Sequence, residues 1–279
     1  MRPMLTATLT VLGIALAAIA LLGLFLYITQ ERMLFFPRQN DPQLRAHWRW
    51  QRVEIPSGEH VLEGWWADAA APESELTIVY FGGNAEDVLY TARNAERIGA
   101  KRMLVVNYRG YGGTKGKPSQ SALFGDALAI YDYLIGPGGA AADDIVVMGR
   151  SLGSGVATML AATRRVRAAV LITPFDSIKA VAARHYPAIL VEWLLRHPFP
   201  STEFAPKTAV PALFMIAAHD EVIAPSHAEA LARAWGGAKD VHTFPDARHN
   251  DIDQHPDYYR VLNAFLHSIA MHGRPASTP

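Results

Sequence analysis

The chain has 279 residues, half of them hydrophobic, and its 26 basic side chains balance 26 acidic ones. That balance, with no clustered basic face, argues against a nucleic-acid partner. The absence of cysteine excludes disulfides, thiolate nucleophiles and zinc–thiolate sites, while saying nothing about compartment. Such a length and apolar content suffice for one large core or two modest ones.

From Met4 to Ile28 the chain is uncharged and apolar, with Thr and Gly as the only relief, long enough to cross a hydrocarbon layer at about 1.5 Å per residue. Residues 1–30 are therefore expected to form a single transmembrane anchor, meeting the lipid bilayer through residues 4–28. A cleaved signal peptide is the rival, but its apolar core would run roughly 7–15 residues, and this run is longer, without a clear small-x-small cleavage site before Gln30. Arg2 lies on one side of the span and Arg32, Arg38 and Arg45 on the other, a count that leans slightly towards a cytoplasmic domain without deciding the side.

Residues 31–51 read as an irregular lead-in, with Trp48 and Trp50 either packed at a core edge or anchoring at the membrane interface. Arg52 to Ile55 and Val61 to Ala67 predict a hairpin around Pro56-Ser57-Gly58. Short, fully apolar runs then alternate with helical stretches. The runs are Leu76 to Phe81, Met103 to Asn107, Ile145 to Met148, Ala168 to Ile172, Ala212 to Ala217 and Val241 to Phe244. Helices are expected over Ala85 to Ile98, Ser119 to Ile135, Ser151 to Thr163, Ser226 to Trp235 and His255 to His272. This alternation predicts an α/β domain over residues 52–272, with a mostly parallel sheet covered on both faces. Residues 176–206 exceed an ordinary crossover and predict a small helical cap, with helices at Ile178 to Ala183 and Ala188 to Arg196. The tail, 273–279, is expected to be disordered.

Gly149-Arg150-Ser151-Leu152-Gly153 stands where a strand turns sharply into a helix, and the small residues two places either side of Ser151 let the two pass closely. By itself the match is also a plain glycine-rich turn. A serine hydroxyl needs a histidine to take its proton and a carboxylate to hold that histidine, and in a parallel sheet such groups gather at the carboxyl ends of strands. Ser151, Asp220 and His249 each follow an apolar run, in the chain order Ser, Asp, His of one hydrolase architecture. Asp176 is a rival acid, since it too follows a strand, and His219 a rival base, although it neighbours Asp220 and points elsewhere on an extended segment. The run His249-Asn250-Asp251-Ile252-Asp253-Gln254-His255 contains metal-ligand types without an established ligand spacing. Backbone N–H donors for an oxyanion are expected from Leu152 and from the loop Phe81-Gly82-Gly83-Asn84-Ala85, at Asn84 to within one residue. The glycine-rich stretch Asn107 to Ser119 is expected to be scaffolding, although Arg109 suits an anion and its tyrosines a pocket wall. It has no dinucleotide or phosphate-loop pattern, so no cofactor and no metal are expected.

On these motifs, together with Thr173-Pro174-Phe175-Asp176-Ser177, Gly116-Lys117-Pro118-Ser119 and Pro225, the chain resembles the membrane-anchored serine hydrolases of the α/β-hydrolase superfamily that include the Bem46-like proteins and the α/β-hydrolase domain-containing proteins 13 and 17. The resemblance covers roughly Val53 to Ile269. It implies an eight-stranded sheet and Ser151, Asp220 and His249 as the triad. Gly82 stands where the group often has His, and Arg248 where a Gly often precedes the histidine; both departures bear on pocket shape. The expected function is hydrolysis of an ester, thioester or amide, more an esterase or thioesterase than a peptidase, with lipid-like acyl groups as candidate substrates. The alternative is a catalytically silent membrane scaffold that keeps the fold; its mark would be a missing triad member, and none is missing.

Overall fold

The computed structural model describes residues 2–46 and 49–271, so Trp48 and the tail 273–279 lie outside the described residues. The chain opens on a single helix, α1 (Arg2–Leu34), and Leu9–Leu34 is apolar and long enough to be a candidate membrane span. The helix outlasts the apolar run because Gln30, Glu31, Arg32, Met33 and Leu34 are all good helix formers, and Pro37 then forbids continuation. The lead-in is thus less irregular than expected: it begins as helix and contains α2 (Pro42–Arg45), N-capped by Asp41. Trp50 packs against the core edge.

The hairpin is β1 (Gln51–Ser57) and β2 (His60–Asp68), joined through Gly58 at φ +58°. Its turn is shorter than predicted: Pro56 and Ser57 stay in the strand, paired with Val61 and His60. Proline is tolerated there because β1 is an edge strand. The remaining strands are β3 (Thr77–Phe81), β4 (Arg102–Val106), β5 (Ile145–Arg150), β6 (Ala168–Ile172), β7 (Ala212–Ala217) and β8 (Lys239–Phe244). They form one eight-stranded sheet in the order β1-β2-β4-β3-β5-β6-β7-β8, parallel from β4 to β8, with β2 antiparallel to both neighbours.

Alternate residues of the central strands feed two cores. Val79, Leu104 and Val147 face α4 (Gln120–Ile135), α5 (Leu152–Thr163) and α9 (Pro225–Ala234), while Ile78, Met103 and Val146 face α3 (Val88–Arg93) and α10 (Tyr258–Met271). The first helix starts later than its apolar pattern suggests, because Asp87 accepts the Leu89 N–H as an N-cap and Glu86 is engaged elsewhere. The last begins at Tyr258, past Pro256, which biases His255 away from helical backbone. Above the carboxyl edge, residues 176–206 form α6 (Ile178–Ala183), α7 (Ala188–Leu194) and α8 (Ser201–Phe204). The chain leaves β3 to one side for β4 and returns to its other side for β5, so a crevice opens at the carboxyl ends of β3 and β5.

Candidate active site

Ser151 occupies that crevice, between the end of β5 and the start of α5. Its φ of +51° and ψ of −119° put it in a backbone region that a side chain enters only under constraint. The constraint is visible. Its N–H donates to the Ile172 carbonyl at 2.9 Å, while its own carbonyl accepts from Ser154 N–H (2.9 Å) and Ser154 Oγ (2.6 Å). A Cβ on Gly149 would collide with the Gly153 carbonyl, and one on Gly153 with the Phe81 carbonyl, so both must be glycine for strand and helix to lie this close.

His249, in the loop after β8, brings Nε2 to 2.9 Å from Ser151 Oγ and Nδ1 to 2.7 Å from Asp220 Oδ2. Both partners are shielded, the His249 side chain 7% and that of Asp220 3% exposed. Asp220 is pre-aimed, because its other oxygen accepts the Val222 and Ile223 N–H groups at 2.9 and 2.7 Å. With Asp220 accepting at Nδ1, that nitrogen carries the proton and Nε2 is free to accept from the serine. The three predicted residues are therefore in one hydrogen-bonded line. The rivals are not in it: Asp176 meets His227 Nδ1 at 2.9 Å, and His219 is exposed. The acidic run after His249 disperses, Asp251 accepting from Arg248 N–H at 2.6 Å and Asp253 lying 3.4 Å from Arg150. No three metal-ligating side chains cluster among the described residues.

Asn84 and Leu152 lie beside Ser151 in the same cavity, and their backbone N–H groups have no hydrogen-bond partner among the described residues. For Leu152 this follows from its place as the first residue of α5. The loop bearing Asn84 is braced from several sides. Glu86 accepts the Gly83 N–H at 2.8 Å, Tyr108 donates to the Gly82 carbonyl at 2.9 Å, and Tyr111 to the Asn84 carbonyl at 2.6 Å. Burial pushes both phenols above the ordinary tyrosine value, which keeps them neutral donors. The end of α1 joins in: Asn84 Nδ2 donates to the Leu34 carbonyl at 3.0 Å, and Phe36 N–H to the Asn84 carbonyl at 3.0 Å.

These braces agree with the scaffolding role expected of the glycine-rich stretch and set aside its two alternatives. The tyrosines of the glycine-rich stretch hold the Asn84 loop and do not line the pocket, and Arg109 pairs with buried Asp126 at 2.6 Å, which occupies it. Arg150 was not singled out in the sequence, yet its guanidinium reaches the His249 carbonyl at 3.2 Å. Burial opposes its charge, but Tyr80, Glu86 and Asp253 outweigh that and raise its pKa. Glu86 had a legible signal, an acid three residues after Gly83 at the mouth of a helix; Arg150 had none.

The cavity over Ser151 measures about 300 Å³, and its wall is almost wholly apolar, with Phe175, Ile178, Val181, Leu190, Val191 and Ile223 among its residues. Such a space suits an apolar group held next to one polar reacting point.

No family profile matches the chain. It is 30% identical to the uncharacterized protein Rv2307c of Mycobacterium tuberculosis, over 85% of this chain and 87% of that protein. It is 29% identical to protein bem46 of Schizosaccharomyces pombe, over 91% of each, and 27% identical to α/β-hydrolase domain-containing protein WAV2 of Arabidopsis thaliana, over 95% of each. Among solved structures, the Pyrococcus furiosus esterase Pf2001 superposes with a TM-score of 0.64 at 18% identity, covering 84% of this chain and 98% of the esterase. With an eight-stranded, mostly parallel sheet, a serine at the strand-to-helix turn and these relatives over most of its length, the chain belongs to the α/β-hydrolase superfamily, in the group that contains Bem46.

Proposed function

We propose that the protein is a serine hydrolase that cleaves an acyl ester or thioester, with amides a less favoured substrate, through an acyl-enzyme on Ser151. One observation carries this: the line from Ser151 Oγ to His249 to Asp220, at 2.9 and 2.7 Å, opens on an apolar cavity. The Ser151 hydroxyl attacks the acyl carbonyl carbon while its proton passes to His249 Nε2. Asp220 stabilises the imidazolium without taking its proton. The oxygen that becomes anionic faces the Asn84 and Leu152 N–H groups; donors of this kind contribute about 2.7–4 kcal/mol each to the transition state. His249 then gives its proton to the departing alkoxide, thiolate or amine as the carbonyl re-forms. Water, deprotonated by His249, repeats the sequence on the acyl-enzyme and frees the acid and Ser151. The apolar wall favours a lipid-like acyl group, and α1 is assigned as a bilayer anchor through residues 4–28.

Labelling with a fluorophosphonate probe tests the assignment. The folded protein is expected to be modified at Ser151, and Ser151→Ala to lose the label. An unlabelled wild type overturns the hydrolase assignment, and equal labelling of Ser151→Ala places the nucleophile elsewhere.

A further inference from the structure

An anchor whose only task is attachment has no reason to touch the reaction chamber, but α1 does. Leu26, Gln30, Met33 and Leu34 line the cavity that contains Ser151. Gly23, Leu26, Gln30 and Leu34 recur at helical spacing and are less exposed than Phe25 and Ile28 on the outward face. Gly23 lets α7 come close: a Cβ there would lie 3.2 Å from Leu194 and 3.8 Å from Leu190. Farther along, Gln30 pins the two helices together, donating to the Leu194 carbonyl at 3.0 Å and accepting the Arg196 N–H at 2.8 Å. Glu31 adds an ion pair to Arg196 at 2.9 Å. On the outer surface of α7, Ile189 and Trp193 are 63% and 78% exposed.

We propose that α1 is one wall of the acyl-tail site, and that a long acyl chain lies along the seam between α1 and α7 with its carbonyl at Ser151 and its far end continuous with the bilayer. This rests on the hydrolase assignment above. The reason is solvation: each methylene drawn from lipid into water costs free energy, whereas a chain sliding between two apolar helices, one of which is embedded in the same lipid, leaves hydrocarbon at no point. The wall is also placed to select by length, since a short acyl group ends beside Ser151 and Leu152 while a long one must run past Leu26 and Met33.

The full-length protein in phosphatidylcholine vesicles is to be titrated with a small fluorophosphonate to count active sites, then assayed on butyryl and palmitoyl esters of one phenol. Leu26→Trp fills the seam from the α1 side; Leu21→Trp, on the exposed face of the same helix, is the control. The palmitoyl-to-butyryl ratio of kcat/KM is expected to fall about tenfold or more in Leu26→Trp, the scale on which an apolar pocket discriminates by size, and to hold in Leu21→Trp. A smaller fall, or an equal fall in the control, overturns the proposal. If Leu26→Trp does not fold, Met33→Trp on the same wall carries the test by the same criterion. A palmitoyl-like fluorophosphonate with a diazirine at its tail gives a second readout: photolabel is expected within 22–34 or 188–195, and label confined elsewhere overturns the proposal. The two failures are separable: a wild type that neither labels nor turns over either ester fails as a hydrolase and takes this proposal with it, while an active enzyme with an unmoved ratio fails only the α1 wall.

Discussion

Arg150 stands between Ser151 and His249. It sits next to Ser151 in sequence and reaches across to the His249 carbonyl and Asp253, so it fixes how the histidine loop lies over the turn. Arg150→Met is expected to lower kcat, by up to about a hundredfold, with little change in KM, because misplacing a catalytic group by about 1 Å costs that much. Steady-state kinetics on a short ester checks this; an effect confined to KM would mean that Arg150 serves substrate binding instead. His249→Ala is expected to cost several orders of magnitude in turnover, and a loss below about tenfold would remove it from the triad. Gly149→Ala is expected to destabilise the fold by about 1–3 kcal/mol or more, as overpacked sites do, because its Cβ meets the Gly153 backbone, which cannot move aside. Thermal denaturation measures it. At this scale the juxtaposition of Ser151, Asp220 and His249 was legible, since the proposed chemistry restricts its residues to few types at strand ends. The partners of most residues that hold them were not, Glu86 apart. Arg150, Tyr108 and Tyr111 act through partners distant in the chain, and no local pattern announces such a pairing.

Strands were legible as elements because burial on both faces leaves an unbroken apolar run, and Ala168–Ile172 and Ala212–Ala217 have the bounds their composition suggests. Helix starts were less so. The stretch from Ala85 has helical periodicity, but Glu86 bonds Gly83, Tyr80 and Thr91 and keeps the first residues out of α3. The joint between α1, α7 and α4 is expected to loosen on acidification. His197 accepts the Gln120 N–H at 3.3 Å, stacks edge-on against Phe35 and faces Glu31, with Arg196 alongside. Burial, only partly offset by Glu31, lowers its pKa. An unfolded histidine titrates near 6.5, so His197 contributes fully above that pH, and its contribution is lost as pH falls towards the lower folded value. Hydrogen exchange at residues 194–200, corrected for intrinsic rates, is expected to quicken on acidification, and His197→Phe to flatten that response. A wild-type profile without pH dependence would count against it.

For the whole molecule, the alternation of strand and helix was enough to define the architecture, while the attachment of α1 to the domain was not foreseeable. An apolar run at the start of a chain gives a length and a composition and is silent on which of its faces meets protein. If α1 stays uncleaved, as its length suggests, the protein is expected to remain in the membrane pellet through high-salt and carbonate washes, to dissolve in detergent, and to yield an intact N-terminal peptide by mass spectrometry. Release by carbonate, or a mature terminus near Gln30, would mean that the segment is removed.

Gln30 has a further consequence. Its two bonds to the α7 end, with Gly23 seated against Leu190 and Leu194, set the angular phase of α1. A helix turns about 100° per residue. Inserting one alanine before Gly23 therefore changes only how far the helix extends, whereas inserting it between Gly23 and Gln30 swings the two contact points out of line. The helix thus divides into an outer stretch, in which one apolar residue can stand for another and length can drift, and the stretch from Gly23 to Gln30, in which every position is counted.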